Sequence, residues 1–157
     1  MKKSSGALIT YDKKVLMLLR DNNPEIPDPN CWQLIGGYLE ENETPIEALI
    51  REVKEESNLQ ISEYKASEIG KFIIPEKLEY SLYWIKLSED KIKDIKLGNE
   101  GQEVGFFSVE ELNEMKLGAI VSDYFQKFKD GLKNVVENEI IDRELLGFDE
   151  NGLHIIK

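Results

Sequence analysis

Two spacings of apolar residues alternate along the chain and predict its elements. Ser5–Thr10 and Lys14–Arg20 are apolar and β-prone, and Tyr11-Asp12-Lys13 between them is turn-like, so the pair reads as a hairpin. Residues 21–30 (DNNPEIPDPN) are loop-forming, with prolines and asparagines throughout. Trp32–Leu39 predicts a short strand interrupted by Gly36-Gly37. The period then changes: Ile46, Leu49, Ile50 and Val53 fall at i, i+3, i+4, i+7, the stripe of an amphipathic helix. Thr44-Pro45-Ile46-Glu47 supplies an N-cap, a proline at the first helical position and the acid of a capping box. Asn58 stands at the expected helix end, where it tolerates a left-handed conformation. Residues 67–74 and 79–87 read as an antiparallel strand pair, 101–107 as a further strand, and 109–112 as a helical turn. Ile120, Tyr124, Phe125, Phe128, Leu132 and Val135 share one face of a C-terminal helix covering roughly residues 119–136. Leu145–Phe148 and Leu153–Ile156, around Asp149-Glu150-Asn151-Gly152, suggest a terminal hairpin.

Strands before, between and after two main helices predict an α/β (α+β) fold, a mixed β-sheet sandwiched between helices. No linker, repeat or low-complexity tract divides the chain, so residues 1–157 are expected to form one domain. Its charge excludes one class of partner. With 31 acids against 20 bases the net charge is −11, which leaves no basic face for polymeric nucleic acid. A small phosphorylated ligand bridged by metal remains compatible. The single histidine, His154, cannot build a histidine-rich metal site, and the single cysteine, Cys31, cannot form an internal disulfide. No apolar run approaches a membrane span, and the start MKKSSGALIT has no signal-peptide core. A cytoplasmic protein without a membrane partner is expected.

One cluster resists a purely structural account. Glu52, Glu55 and Glu56 form a ridge roughly 120° around the helix from its apolar stripe. A solvated charged face is the plain reading of such a run. Ordinary surface helices intersperse their signs, however, and this ridge holds no base of its own. Like charges at i, i+3 and i, i+4 repel by ~0.2–0.5 kcal/mol per pair. A hard divalent cation, bound through carboxylate and carbonyl oxygens, would remove that repulsion.

The surrounding segment, residues 37–59, resembles the Nudix box, G-x5-E-x7-R-E-U-x-E-E-x-G-U, where U is a bulky aliphatic residue. Gly37 opens the motif; Glu43, Arg51-Glu52, Val53, Glu55-Glu56 and Leu59 follow at the required spacings. The departure is Asn58 in place of the second glycine, a mild change at a helix C-cap. The preceding WQLIGG resembles the family's entry strand, with Ile35 where proline is common. Residues 103–112 (EVGFFSVEEL) resemble its late strand and short helix.

The resemblance implies a Nudix fold and divalent-metal-dependent hydrolysis of a nucleotide diphosphate linkage by water attack on phosphorus. Mg²⁺ is the implied cofactor, with Mn²⁺ as a substitute. It implies Glu52, Glu55, Glu56 and the Gly36 carbonyl as metal ligands, and Glu52 or Glu55 as the group acting on the attacking water. Arg51 and Glu43 would form an ion pair that locks loop to helix. Glu100 lies where many family members keep an extra ligand, and Glu103 where they keep an extra base. Arg20 and Gly37 would approach the phosphates. Trp32 and Tyr38 fit either packing or stacking on a base. Nucleoside triphosphates, ADP-ribose or another sugar nucleotide, and dinucleoside polyphosphates all remain open as substrates. No asparagine near Leu117–Val121 supports reading of an oxidised purine. A non-catalytic nucleotide-sensing module would be expected to lack some of the box acids, and a homodimer stays open. An isopentenyl-diphosphate isomerase would need more histidine.

Overall fold

The computed structural model describes residues 1–157. Its centre is β1 (Lys2–Tyr11), buried from Ser4 to Thr10. The hairpin to β2 (Lys14–Leu19) closes over Asp12 and Lys13, both at positive φ (49° and 61°), as a two-residue turn matching strand twist demands. β3 (Trp32–Tyr38) runs antiparallel to β1, placing Gly36 opposite Gly6. β4 (Ala66–Ile74) and β5 (Leu78–Lys86) form the expected antiparallel pair, and β5 lies parallel to β1 along nine residues. With β6 (Glu103–Phe107) and β7 (Leu153–Ile155) the sheet has seven strands in the order β6-β2-β3-β1-β5-β4-β7. The mixed sheet between helices is the predicted architecture.

Two separate apolar clusters flank it. One gathers Ile9, Leu16 and Ile35 against Leu49 and Val53 of α1 (Pro45–Ser57). The other gathers Leu8, Met17 and Leu82 against Tyr124, Leu132 and Leu146. These come from α4 (Ala119–Lys127), α5 (Lys129–Asn138) and the tail. Short helices α2 (Glu89–Ile92) and α3 (Val109–Leu112) complete the set, and a 3₁₀ turn covers Glu63–Lys65. α1 keeps the bounds its pattern predicts. Thr44 and Glu47 form the capping box, and Asn58 ends the helix at φ 65°.

The tail departs from its predicted form twice. The single helix over residues 119–136 is two, because Phe128 (φ −119°, ψ 34°) leaves the helical conformation. Its ring turns onto Tyr124 and His154, at centroid distances of 5.0 and 5.2 Å. The terminal hairpin does not form. Residues 142–148 coil into consecutive turns that bury Leu146 and Phe148, and β7 instead pairs parallel with β4. The open edge of β4 competes with the local partner and wins, since it satisfies the backbone while both apolar side chains enter the core.

Candidate active site

Glycines let the acids of α1 approach the sheet. A Cβ on Gly37 would lie 2.5 Å from the Glu52 Cδ, and one on Gly36 would strike the Ser5 carbonyl. The Gly36 N–H donates to Glu56 Oε1 at 2.8 Å. Glu56 is 9% exposed. Burial raises its carboxyl to about 8, helped by the charges of Glu52 and Glu100 and opposed by the Gly36 N–H and Arg20. Burial also raises Glu52, against the pull of Arg51.

Arg51 ties the segment together. Its Nε donates to Glu43 Oε2 at 2.8 Å, Nη2 to Glu43 Oε1 at 2.9 Å and to the Tyr38 carbonyl at 3.0 Å. These bonds pull the Glu43 carboxyl down to about 2. The same guanidinium reaches Glu52 at 2.8 Å and Glu55 at 3.4 Å. The expectation of a ridge without a base therefore needs correction. Arg51 lies beside the ridge, and its long side chain folds back along it. Helical position alone does not show that reach.

Glu100 joins from the loop before β6. The Gly98 N–H donates to the Glu56 carbonyl, and a Cβ on Gly98 would strike the Glu55 carbonyl, so the loop lies directly on the end of α1. Glu100 lines the same pocket as Glu52 and Glu56. Glu103, at the start of β6, is exposed, pairs with Leu19 and lies outside that pocket lining. Arg20 does line it, holding Gln33 Oε1 through Nη1 at 2.8 Å, while its buried Nε–H has no partner. Tyr38 is exposed beneath the Lys2 ammonium, 5.1 Å from its ring centroid, and lines the pocket. Trp32 packs edge-on against Phe107 at 4.8 Å and lies outside the lining.

Sequence reasoning missed three contributors. Gln33 holds Arg20, and Gln102 donates to the Arg20 carbonyl and to Asn30, fixing the arginine's strand end. Tyr80 sits with its hydroxyl against Gly6, where any Cβ would collide with it. A glycine inside a strand is itself a sign of close approach, and Gly6 carried that sign.

The donor set suits a hard divalent cation: carboxylates and carbonyls, one carboxylate deeply buried and short of positive charge. No three of the acidic side chains are preassembled as a cage. Arg51 holds Glu52 and Glu55, and Gly36 holds Glu56. The pocket, about 600 Å³, is lined by Glu52, Glu56 and Glu100 together with Tyr80 and apolar side chains such as Phe72 and Val121. No helix is long and apolar enough to cross a membrane.

Comparison with known proteins gives this geometry a context. A sequence model described as NUDIX domain matches residues 2–128. An ADP-ribose pyrophosphatase of Methanocaldococcus jannaschii is 30% identical over 128 residues, 79% of this chain and 72% of that protein. A dihydroneopterin triphosphate diphosphatase of Haemophilus influenzae is 37% identical over 82 residues, 50% of this chain and 47% of that protein. Among solved structures, a NUDIX hydrolase from Nitrosomonas europaea superposes with a TM-score of 0.70 at 23% identity, covering 99% of this chain and 78% of that one. A MutT protein from Methanosarcina mazei gives 0.64 at 27% identity, covering 82% and 93%.

Proposed function

The chain belongs to the Nudix family and is a Nudix pyrophosphohydrolase, and from that premise we propose how its own residues act and on what. The proposed reaction is hydrolysis of the diphosphate linkage in a small nucleotide-linked substrate, dependent on Mg²⁺ with Mn²⁺ as substitute. Glu52, Glu55, Glu56, Glu100 and the Gly36 carbonyl would hold the ion. Bound there, it would neutralise charge developing on the phosphoryl oxygens. The single observation that supports this most is Glu56, a carboxylate buried beside Glu52 and Glu100 with only an N–H and the distant charge of Arg20 in its favour.

The protein's own groups do the remaining work. Glu52 is the proposed acceptor of the water proton, its carboxyl raised by burial against the pull of Arg51. Glu55, exposed at the ridge, is the alternative; Glu103, held in β6 outside the pocket lining, is not proposed as the acceptor. Arg51 and Glu43 position the acids: their two bonds fix the turn to the helix, so losing either displaces Glu52 without removing a ligand. The Arg20 guanidinium, which lines the pocket, is the proposed contact for a substrate phosphate, with the Gly37 backbone lying close beside Glu52. Tyr38 is proposed to flank the nucleotide, while Trp32, packed on Phe107 outside the pocket lining, is left a packing role.

Nucleoside triphosphates, ADP-ribose and pterin triphosphates are the substrate classes proposed first, the last two by analogy with the relatives' names. Residues 1–157 are proposed to act as one cytoplasmic domain. Incubation with Mg²⁺ and a panel of these compounds, with products identified by mass, tests the reading. Cleavage at a phosphoanhydride is expected. Saturable binding without turnover would make the chain a sensing module instead.

A further inference from the structure

Five acids and two arginines line the pocket, with no lysine among them, so an anionic substrate depends on how those two arginines are engaged. Arg51 is committed to carboxylates, with Glu43, Glu52 and Glu55 all within 3.4 Å of its nitrogens. Arg20 is held differently. Its side chain pairs with no acid, and its one partner is a neutral amide: Gln33 Oε1 accepts from Nη1 at 2.8 Å.

Both ends of that bond rise from fixed backbone. The Arg20 N–H donates to the Cys31 carbonyl at 2.9 Å, and the Arg20 carbonyl accepts from Gln102 Nε2 at 2.8 Å. Gln33 stands opposite Leu18 in the β2–β3 ladder. By strand alternation Gln33 shares a face with Gly37, and that face meets the Glu52 carboxylate. The amide and the guanidinium therefore sit beside the acids of α1, on the same side of the sheet.

A stronger partner for Arg20 is close at hand. Glu56 feels the Arg20 charge, and a bond from guanidinium to carboxylate is stronger than one to a neutral amide. Arg51, with no such amide beside it, folds along the ridge onto Glu52 and Glu55. If Arg20 did the same with Glu56, the pocket would lose its last uncommitted cation and a carboxylate together. An amide oxygen accepts the N–H and leaves the positive charge whole.

We propose that Gln33 is the positioning residue for Arg20: its amide holds the guanidinium off Glu56, so that the cation stays free for a substrate diphosphate and the carboxylate for the ion. The inference rests on the phosphate contact assigned to Arg20 above.

The test is titration calorimetry with Mg²⁺ and methylenediphosphonate, a non-cleavable diphosphate mimic. Gln33→Met keeps the side-chain length and removes the acceptor. It is expected to weaken binding roughly tenfold, as is Arg20→Ala, and the double variant should bind no worse than Arg20→Ala alone. At saturating substrate and Mg²⁺ the diphosphate and its ion separate the mispaired groups. On a panel compound that is cleaved, Gln33→Met should therefore raise KM by a similar factor and leave kcat within about threefold. Wild-type affinity in folded Gln33→Met, a loss that recurs in full in the Arg20→Ala background, or a fall in kcat at unchanged KM would overturn the proposal. Melting temperatures are read in parallel, and Gln33→Leu takes over if Gln33→Met fails to fold. Turnover separates this inference from the proposed reaction. The expected binding pattern without hydrolysis of any panel compound sinks only the reaction, and wild-type hydrolysis with Gln33→Met unaltered sinks only the role of Gln33.

Discussion

The loop-and-helix segment from Gly36 to Leu59 and the tail from Lys129 to Lys157 line opposite parts of one pocket, yet they are built on different principles. In the first, the contacts that set the helix and its turn are local, Thr44 with Glu47 and Glu43 with Arg51, and the loop carrying Glu100 joins from further along through the Gly98 N–H on the Glu56 carbonyl. In the second, the determining contacts reach far along the chain. Arg143 donates to the carbonyls of Glu68 and Ile69, β7 pairs with β4, and Tyr124 bonds Leu146. Local contacts leave a spacing that can be read from sequence; distant ones leave only hydrophobicity. The two segments also differ in chemistry: carboxylates and an arginine line the pocket from the first, apolar side chains from the second.

The sharpest break would come from Glu52→Gln and Glu56→Gln. Each is expected to lower kcat at least ~10²-fold, as loss of a key electrostatic group does. Steady-state rates with Mg²⁺ check this, and wild-type rates in both would remove the proposed site. In the tail, Leu146→Ala should cost ~2–5 kcal/mol of stability, since Leu146 is fully buried. Denaturant unfolding measures it; a loss below ~1 kcal/mol would mean the tail is only loosely attached to the core.

The same contrast governs what could be read beforehand. The helix α1 was legible to the residue because its cap, stripe and stop are all local. The terminal hairpin was misread because Leu145–Phe148 and Leu153–Ile156 suit each other as strands, while the free edge of β4 suits the second of them better. The break at Phe128 had no proline to announce it, only an aromatic residue whose partner, His154, lies 26 positions away. Within the site, the acids and Arg51 were legible by spacing. Gln33 and Tyr80 were not, because each matters through a neighbour from another strand.

A smaller effect follows from Glu56. Its folded carboxyl lies at about 8, above the ordinary value of 4.5. The metal-free folded state therefore holds more protons than the unfolded chain between those values, and stability from this group falls as pH rises across that window. Glu56→Gln should flatten the decline, and Mg²⁺ should raise the melting temperature more at pH 8 than at pH 5. Calorimetric scans at the two pH values check both; an equal or inverted Mg²⁺ effect would count against ion binding at this carboxylate. The smallest change expected is Asn58→Gly. Glycine suits φ 65°, but the bond from the Asn58 amide to the Asp94 carbonyl is lost, so stability should move by less than ~1 kcal/mol. A larger loss in thermal unfolding would show that this loop contact helps hold the end of α1.

The central claim is that carboxylates on one helix, aided by a divalent ion, direct water onto a phosphorus. Hydrolysis in ¹⁸O-labelled water, with and without chelator, tests it most directly. The account predicts one ¹⁸O in a phosphate-bearing product, formed only when metal is present and nearly abolished in Glu52→Gln and Glu56→Gln. Label in a product without phosphorus, or unchanged cleavage in the chelated enzyme, would contradict it.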